Sequence, residues 1–198
     1  MIDWGVAVVP RPGETVSGDH YFVASFPDGA LVAAVDGLGH GAAARHAAIL
    51  AAATLERHAR EPVPALIQRC HERLSRTRGA AISLARFDTQ ESTMTWLGVG
   101  NVEGVLLRSD LGRGARQEWL LVRAGVVGYY LPRVRPATLP VRPGDILCFA
   151  TDGIHNSFAE ALTTHGSPQE IADRILRQYS KGTDDALVLV ARYLAGKV

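Results

Sequence analysis

The order in which short apolar runs and turn residues alternate is the strongest constraint on how this chain can fold. Runs at 4–9, 20–26 and 30–35 have strand length, and Pro27-Asp28-Gly29 separates the last two as a hairpin turn would. From Ala42 to Arg60 the sequence becomes alanine-rich with leucine and isoleucine at helical spacing. Pro62 and Pro64 part it from a second helical stretch near 65–77. Strand-like runs return at 80–87, 93–99, 102–108 and 118–123 and read as an antiparallel meander. Pro143-Gly144-Asp145 then turns into a strand at 146–150, a helix is predicted over 168–179, and a last strand over 186–193. This order predicts an α+β fold, a four-layer α-β-β-α sandwich with two mainly antiparallel sheets flanked by helices.

With 198 residues, no internal repeat and no low-complexity linker, the chain reads as a single domain over 1–198. A formal net charge of +1 gives no reason to expect a nucleic-acid partner. The start MIDWGVAVVP lacks the basic lead and apolar core of a signal peptide, and no apolar run has bilayer length, so a cytoplasmic protein without a membrane partner is expected. Cys70 and Cys148 lack the paired spacing of a zinc or redox site and read as structural thiols. Nothing in the sequence obliges a dimer, so it is compatible with a monomer without setting the oligomeric state.

The pattern that carries chemistry is four aspartates at the ends of apolar strand-like runs. Asp19 precedes HYFVASF, Asp36 ends ALVAAV, Asp152 follows ILCFAT, and Asp184 precedes DALVLVAR; the first three each touch a glycine. Strand ends hand a rigid backbone to loops, so side chains there converge on one rim with little freedom. Four carboxylates on one rim repel unless cations lie between them. Oxygen-only ligation suits hard ions, magnesium or manganese, better than zinc. The plain alternative is that Asp-Gly only makes turns, as at Asp28-Gly29. Against it, Asp36-Gly37-Leu38-Gly39-His40-Gly41 joins a buried strand directly to a helix with more glycine than a turn needs, which would let backbone approach a metal or phosphate.

The segments SGDHYFV (17–23), VDGLGHG (35–41), GVGNVEG (98–104), ATDGIHNSF (150–158) and GTDDALVLVAR (182–192) together resemble the successive motifs of the metal-dependent serine/threonine protein phosphatases (PPM family), in their SpoIIE-like branch. The short length and the Asp-Gly-Leu-Gly-His-Gly form narrow the resemblance to the RsbX-type phosphatases that act on stressosome proteins. The resemblance implies two divalent cations, Mn2+ or Mg2+, with Asp36 bridging them and the Gly37 carbonyl on one. Asp19 would lie in the inner or second shell, and Asp152 and Asp184 would complete the other ion's ligands. Asp185 stands where many relatives carry asparagine, and between the two the choice falls on Asp184.

The resemblance further implies attack on phosphorus by a hydroxide bridging the ions, with no covalent phosphoenzyme. Many relatives place histidine just after Asp-Gly, where this chain has Leu38; His40 or a bound water is then the acid for the leaving group, with His155 as the other candidate. Arg11 is near the position of the phosphate-holding arginine of eukaryotic relatives but out of register. Arg69, Arg73, Arg76 and Arg78 form either a surface for an acidic partner or a solvated helix face. The implied substrate is a phosphorylated STAS-domain stressosome protein. Two competing readings are a catalytically silent module that binds a phosphoprotein through the same rim, and a hydrolase of small phosphoesters or nucleotides, for which no Walker loop is present.

Overall fold

The computed structural model describes residues 1–109 and 117–194. In chain order they form β1 (Ile2–Val9), β2 (Asp19–Phe26), β3 (Gly29–Gly37), α1 (Gly41–His58), α2 (Val63–Leu74), β4 (Ala80–Asp88), β5 (Thr93–Val99), β6 (Glu103–Leu107), β7 (Gln117–Leu120), β8 (Ala137–Pro140), β9 (Ile146–Ala150), a 3-10 turn (Asn156–Ala161), α3 (Pro168–Tyr179) and β10 (Ala186–Tyr193). The strands make two antiparallel five-stranded sheets, ordered β1-β10-β9-β6-β7 and β2-β3-β4-β5-β8.

The two-residue period of the central strands builds the layers. In β3, Ala30, Val32 and Ala34 point into the space between the sheets, while Leu31, Ala33 and Val35 point at α1 and α2. β10 does the same in the other sheet: Leu187, Leu189 and Ala191 face inward, and Val188 and Val190 meet Ile171 and Ile175 of α3. Such strands are buried on both faces, which is why their sequences read as unbroken apolar runs. α1 presents Ala44, Ala47, Ala48, Ala51 and Leu55 to its sheet, a helical stripe of mostly small residues that lets the helix lie close. The expected α-β-β-α layering is therefore what forms.

Three local expectations change. The middle strands are not one meander: β4 and β5 stay in the second sheet, and the chain crosses at Gly100-Asn101 so that β6 pairs with β9 and β7 in the first. β8, inside a proline-punctuated stretch, pairs with β5 as an exposed edge strand. The hairpin turn is Pro27-Asp28, with Gly29 already paired to Phe26. Cys70 and Cys148 are buried, and burial pushes both thiols up, Cys70 to about 12, as structural thiols require. Among the described residues no helix is long and apolar enough to cross a membrane.

Candidate metal centre

Both sheets end at a shared rim, and the strand-end aspartates stand on it. The inward row of β3 runs Ala30, Val32, Ala34 and arrives at Asp36. Asp19, the first residue of β2, is the register partner of Asp36, so the two carboxylates rise side by side from adjacent strands. From the other sheet, the inward row of β9 passes through Leu147 and Phe149 to Thr151, immediately before Asp152. That of β10 runs back from Leu187 to Asp185, next to Asp184. Asp19, Asp36, Asp152, Asp184 and Asp185 line one cavity of about 220 Å³ together with Leu38, Gly39 and Asn101.

Hydrogen bonds across the sheets fix this arrangement. Thr151 Oγ1 donates to Asp19 Oδ2 at 2.6 Å and accepts the Leu187 N–H at 2.9 Å. Asp185 accepts the Arg11 N–H on Oδ1 and the Gly18 N–H on Oδ2, each at 2.9 Å, so both its oxygens hold the loop that delivers Asp19. Asp184 accepts the neighbouring Asp185 N–H on Oδ1 at 2.9 Å. Both Asp185 oxygens are thus taken by backbone N–H groups, whereas Asp184 accepts one on Oδ1.

The electrostatics separate this rim from an ordinary buried carboxylate. Burial, then the charge of Asp36, pushes Asp19 up to about 8, against the lowering effect of the Thr151 hydroxyl. Burial, then the charge of Asp152, pushes Asp36 up to about 7, eased by the Asn101 amide. Asp145 is as deeply buried but receives the Arg108 guanidinium at 3.1 Å, the Ser109 N–H at 2.8 Å and the Arg142 N–H at 3.0 Å. Asp19 and Asp36 instead face other carboxylates, an arrangement that costs stability in the bare protein and that divalent cations would relieve.

The donor set fits hard cations. It is all oxygen, and the aspartates share one cavity wall, although among the described residues no three or more His, Cys, Asp or Glu side chains are already arranged to hold an ion.

Asp19, Asp36, Asp152 and Asp184, the aspartates singled out in the sequence, all line this one cavity. Gly37, closing β3, donates its N–H to the Gly18 carbonyl at 3.2 Å, and a Cβ there would strike the Ala44 carbonyl of α1. Gly39 and Gly41 take φ of +88° and +70°, so all three glycines serve the strand-to-helix turn. His40 occupies the N-cap position of α1 with Nδ1 2.7 Å from Glu14 Oε1; it stands beyond Gly39 and is not among the cavity-lining residues. Leu38 forms part of the wall. His155 is exposed and outside the lining, its N–H bonded to the Tyr179 carbonyl.

Sequence reasoning gave Asn101 no role, although its Nδ2 donates to Asp152 Oδ2 at 2.7 Å and it lines the cavity. An asparagine between two strand-like runs reads as a turn residue, and only the change of sheet at that point carries it to the rim.

A sandwich of this layering, with carboxylates at the shared rim of its sheets, is the fold of the PP2C phosphatases. Solved structures match nearly the whole chain. A chain described with the bacterial stressosome, a modular system adapted to control secondary messenger signaling, shares a TM-score of 0.88 and 28% identity, covering 97% of this chain and 100% of its own. RsbX in complex with magnesium has a TM-score of 0.85 at 23% identity over 96% and 94% of the two chains. The catalytic domain of the serine/threonine protein phosphatase PstP, with two manganese ions, has a TM-score of 0.75 at 17% identity over 98% of each.

Within that class the chain belongs to the SpoIIE family: the model for stage II sporulation protein E (SpoIIE) matches residues 27–194. The phosphoserine phosphatase RsbX of Bacillus subtilis (strain 168) is 24% identical over 185 residues, 93% of this chain and 91% of that protein.

Proposed function

We propose that the protein is a single-domain, cytoplasmic phosphatase of phosphoserine and phosphothreonine on a partner protein, in the manner of its relative RsbX, and that its substrates are phosphorylated STAS-domain regulators of a stressosome-type pathway. The observation that carries this reading is the in-register pairing of Asp19 with Asp36 in a cavity shared with Asp152 and Asp184. These residues and the Gly37 carbonyl would hold two divalent cations, Mn2+ or Mg2+. When bound, such cations acidify water and offset the charge that develops on phosphoryl oxygens.

The chain's own groups do the positioning. Thr151 orients Asp19, the Asn101 amide orients Asp152, and Asp185 fixes the 11–18 loop. Leu38 adds an apolar side chain to the wall. The acid for the leaving oxygen is His40, which is held by Glu14 through Nδ1 and stands just beyond the cavity-lining Gly39, or a bound water. His40→Ala is expected to lower kcat about 100-fold and flatten its pH profile; an unchanged rate and profile removes His40 from the mechanism.

The substrate class is tested by comparing turnover, with manganese present, on a phosphoserine STAS-domain protein and on free nucleotides. Release from the phosphoprotein with none from nucleotides is expected; preference for nucleotides would replace the protein-phosphatase reading with that of a small-molecule hydrolase.

A further inference from the structure

The charge of the cavity creates a problem that the rim itself does not solve. Its five aspartates outnumber the four positive charges of two divalent ions, and a phosphomonoester arrives close to a dianion. A substrate held there needs a further cation at the edge.

The arginine cluster noted in the sequence divides in the structure. Arg69 and Arg73 line a groove between α1 and α2, and Arg69 is paired with Glu61 at 3.2 Å. Arg78 lies past α2, where the chain turns into β4. The Gly79 carbonyl accepts the Leu38 N–H at 3.0 Å, which locks this turn against the segment following Asp36.

The Arg78 guanidinium consequently sits on Gly39, with Nη1 2.7 Å from where a Cβ on Gly39 would stand. Gly39 belongs to the cavity wall, and its lack of a side chain leaves the space the guanidinium occupies; Arg78 itself is exposed and stands just outside the cavity-lining residues, beside Gly39. Among the described residues no carboxylate pairs with Arg78. Two other cations lie near. Lys181 already donates to the Asp152 carbonyl at 2.6 Å, and Arg11 reaches the rim through its backbone N–H on Asp185.

We propose that Arg78 is a substrate-binding residue whose guanidinium, seated on Gly39 at the cavity edge, holds the phosphoryl oxygens of a phosphomonoester. This rests on the phosphatase reading above. A planar guanidinium offers two parallel N–H groups to a phosphoryl face, which an ammonium cannot.

The test uses the full chain loaded with Mn2+, with para-nitrophenyl phosphate as substrate and inorganic phosphate as the bound probe in calorimetry. Arg78→Ala is expected to raise both KM and the phosphate Kd about tenfold or more, Arg78→Lys to recover part of the loss, and Arg73→Ala to behave as wild type. Mn2+ affinity without phosphate is expected to be equal in all four proteins.

Wild-type phosphate affinity in Arg78→Ala, or a loss confined to Arg11→Ala, overturns the assignment while leaving the phosphatase reading intact. A fall in Mn2+ affinity in Arg78→Ala also overturns it, since the residue would then act on the metal site. If the wild type turns over no phosphoester yet Arg78→Ala still loses phosphate affinity, the anion site stands and the phosphatase reading falls.

Discussion

Asp19 and Asp36 are cross-strand neighbours whose carboxyls are raised from an ordinary 3.8 to about 8 and about 7. The sign of the resulting pH dependence follows from which state holds more protons. Between about pH 4 and 8 the folded metal-free protein binds more protons at these sites than the unfolded chain, so rising pH favours unfolding. Their stability contribution is fully present below about pH 4 and is lost as pH rises through 7 to 8. The metal-free protein is therefore expected to show a Tm that falls over this window, and Mn2+ to raise Tm more at pH 8 than at pH 6, with proton release on binding at pH 7. Calorimetry in buffers of different ionisation enthalpy reads that release; equal Tm gains and no released protons would contradict the pairing. Asp19 and Asp36, like Asp152 and Asp184, were legible in the sequence because each stands at one end of an apolar run. Asn101 and Thr151 were not, because their function lies in partners 51 and 132 positions away, Asp152 and Asp19.

At the scale of elements, β1 is an outer strand of its sheet and would expose unpaired backbone groups. The Gln169 side chain of α3 supplies what a further strand would: Oε1 accepts the Val6 N–H at 3.0 Å and Nε2 donates to the Val6 carbonyl at 2.8 Å. The helix can come that close because residue 5 is glycine; a Cβ there would strike the Gln169 backbone. Gln169→Ala is expected to cost about 1 kcal/mol and Gly5→Ala about 1–3 kcal/mol, both measured by urea denaturation. A Gly5→Ala protein as stable as wild type would show that α3 does not depend on this approach. The bounds of α3 matched expectation because Ser167, Pro168 and Glu170 spell a capping box, and both of its reciprocal bonds form. β8 escaped notice because Pro136 and Pro140 bracket it, and an exposed strand of four residues paired on one side carries no periodic signal.

Over the whole molecule, each sheet alone carries half a site. Asp19 and Asp36 come from one, Asp152 and Asp184 from the other, and the Thr151–Asp19 and Asp185–Gly18 bonds fix their relation. Beyond the β2–β3 hairpin, which strands pair was hidden in the sequence, since the crossing after β5 is decided by tertiary contacts and not by local periodicity. The layer order was legible, because strands apolar on both faces need cover on both faces. The central claim is that this rim is a metal centre for hydrolysis of phosphoproteins, and it meets its most direct test in phosphate release from a phosphoserine STAS-domain protein. Wild type and Asp36→Asn are compared with Mn2+ present and after chelation. The account predicts release by wild type that stops on chelation, returns with Mn2+, and falls by at least about 100-fold in Asp36→Asn; undiminished release after metal removal, or no release from the intact metal-loaded protein, would contradict it.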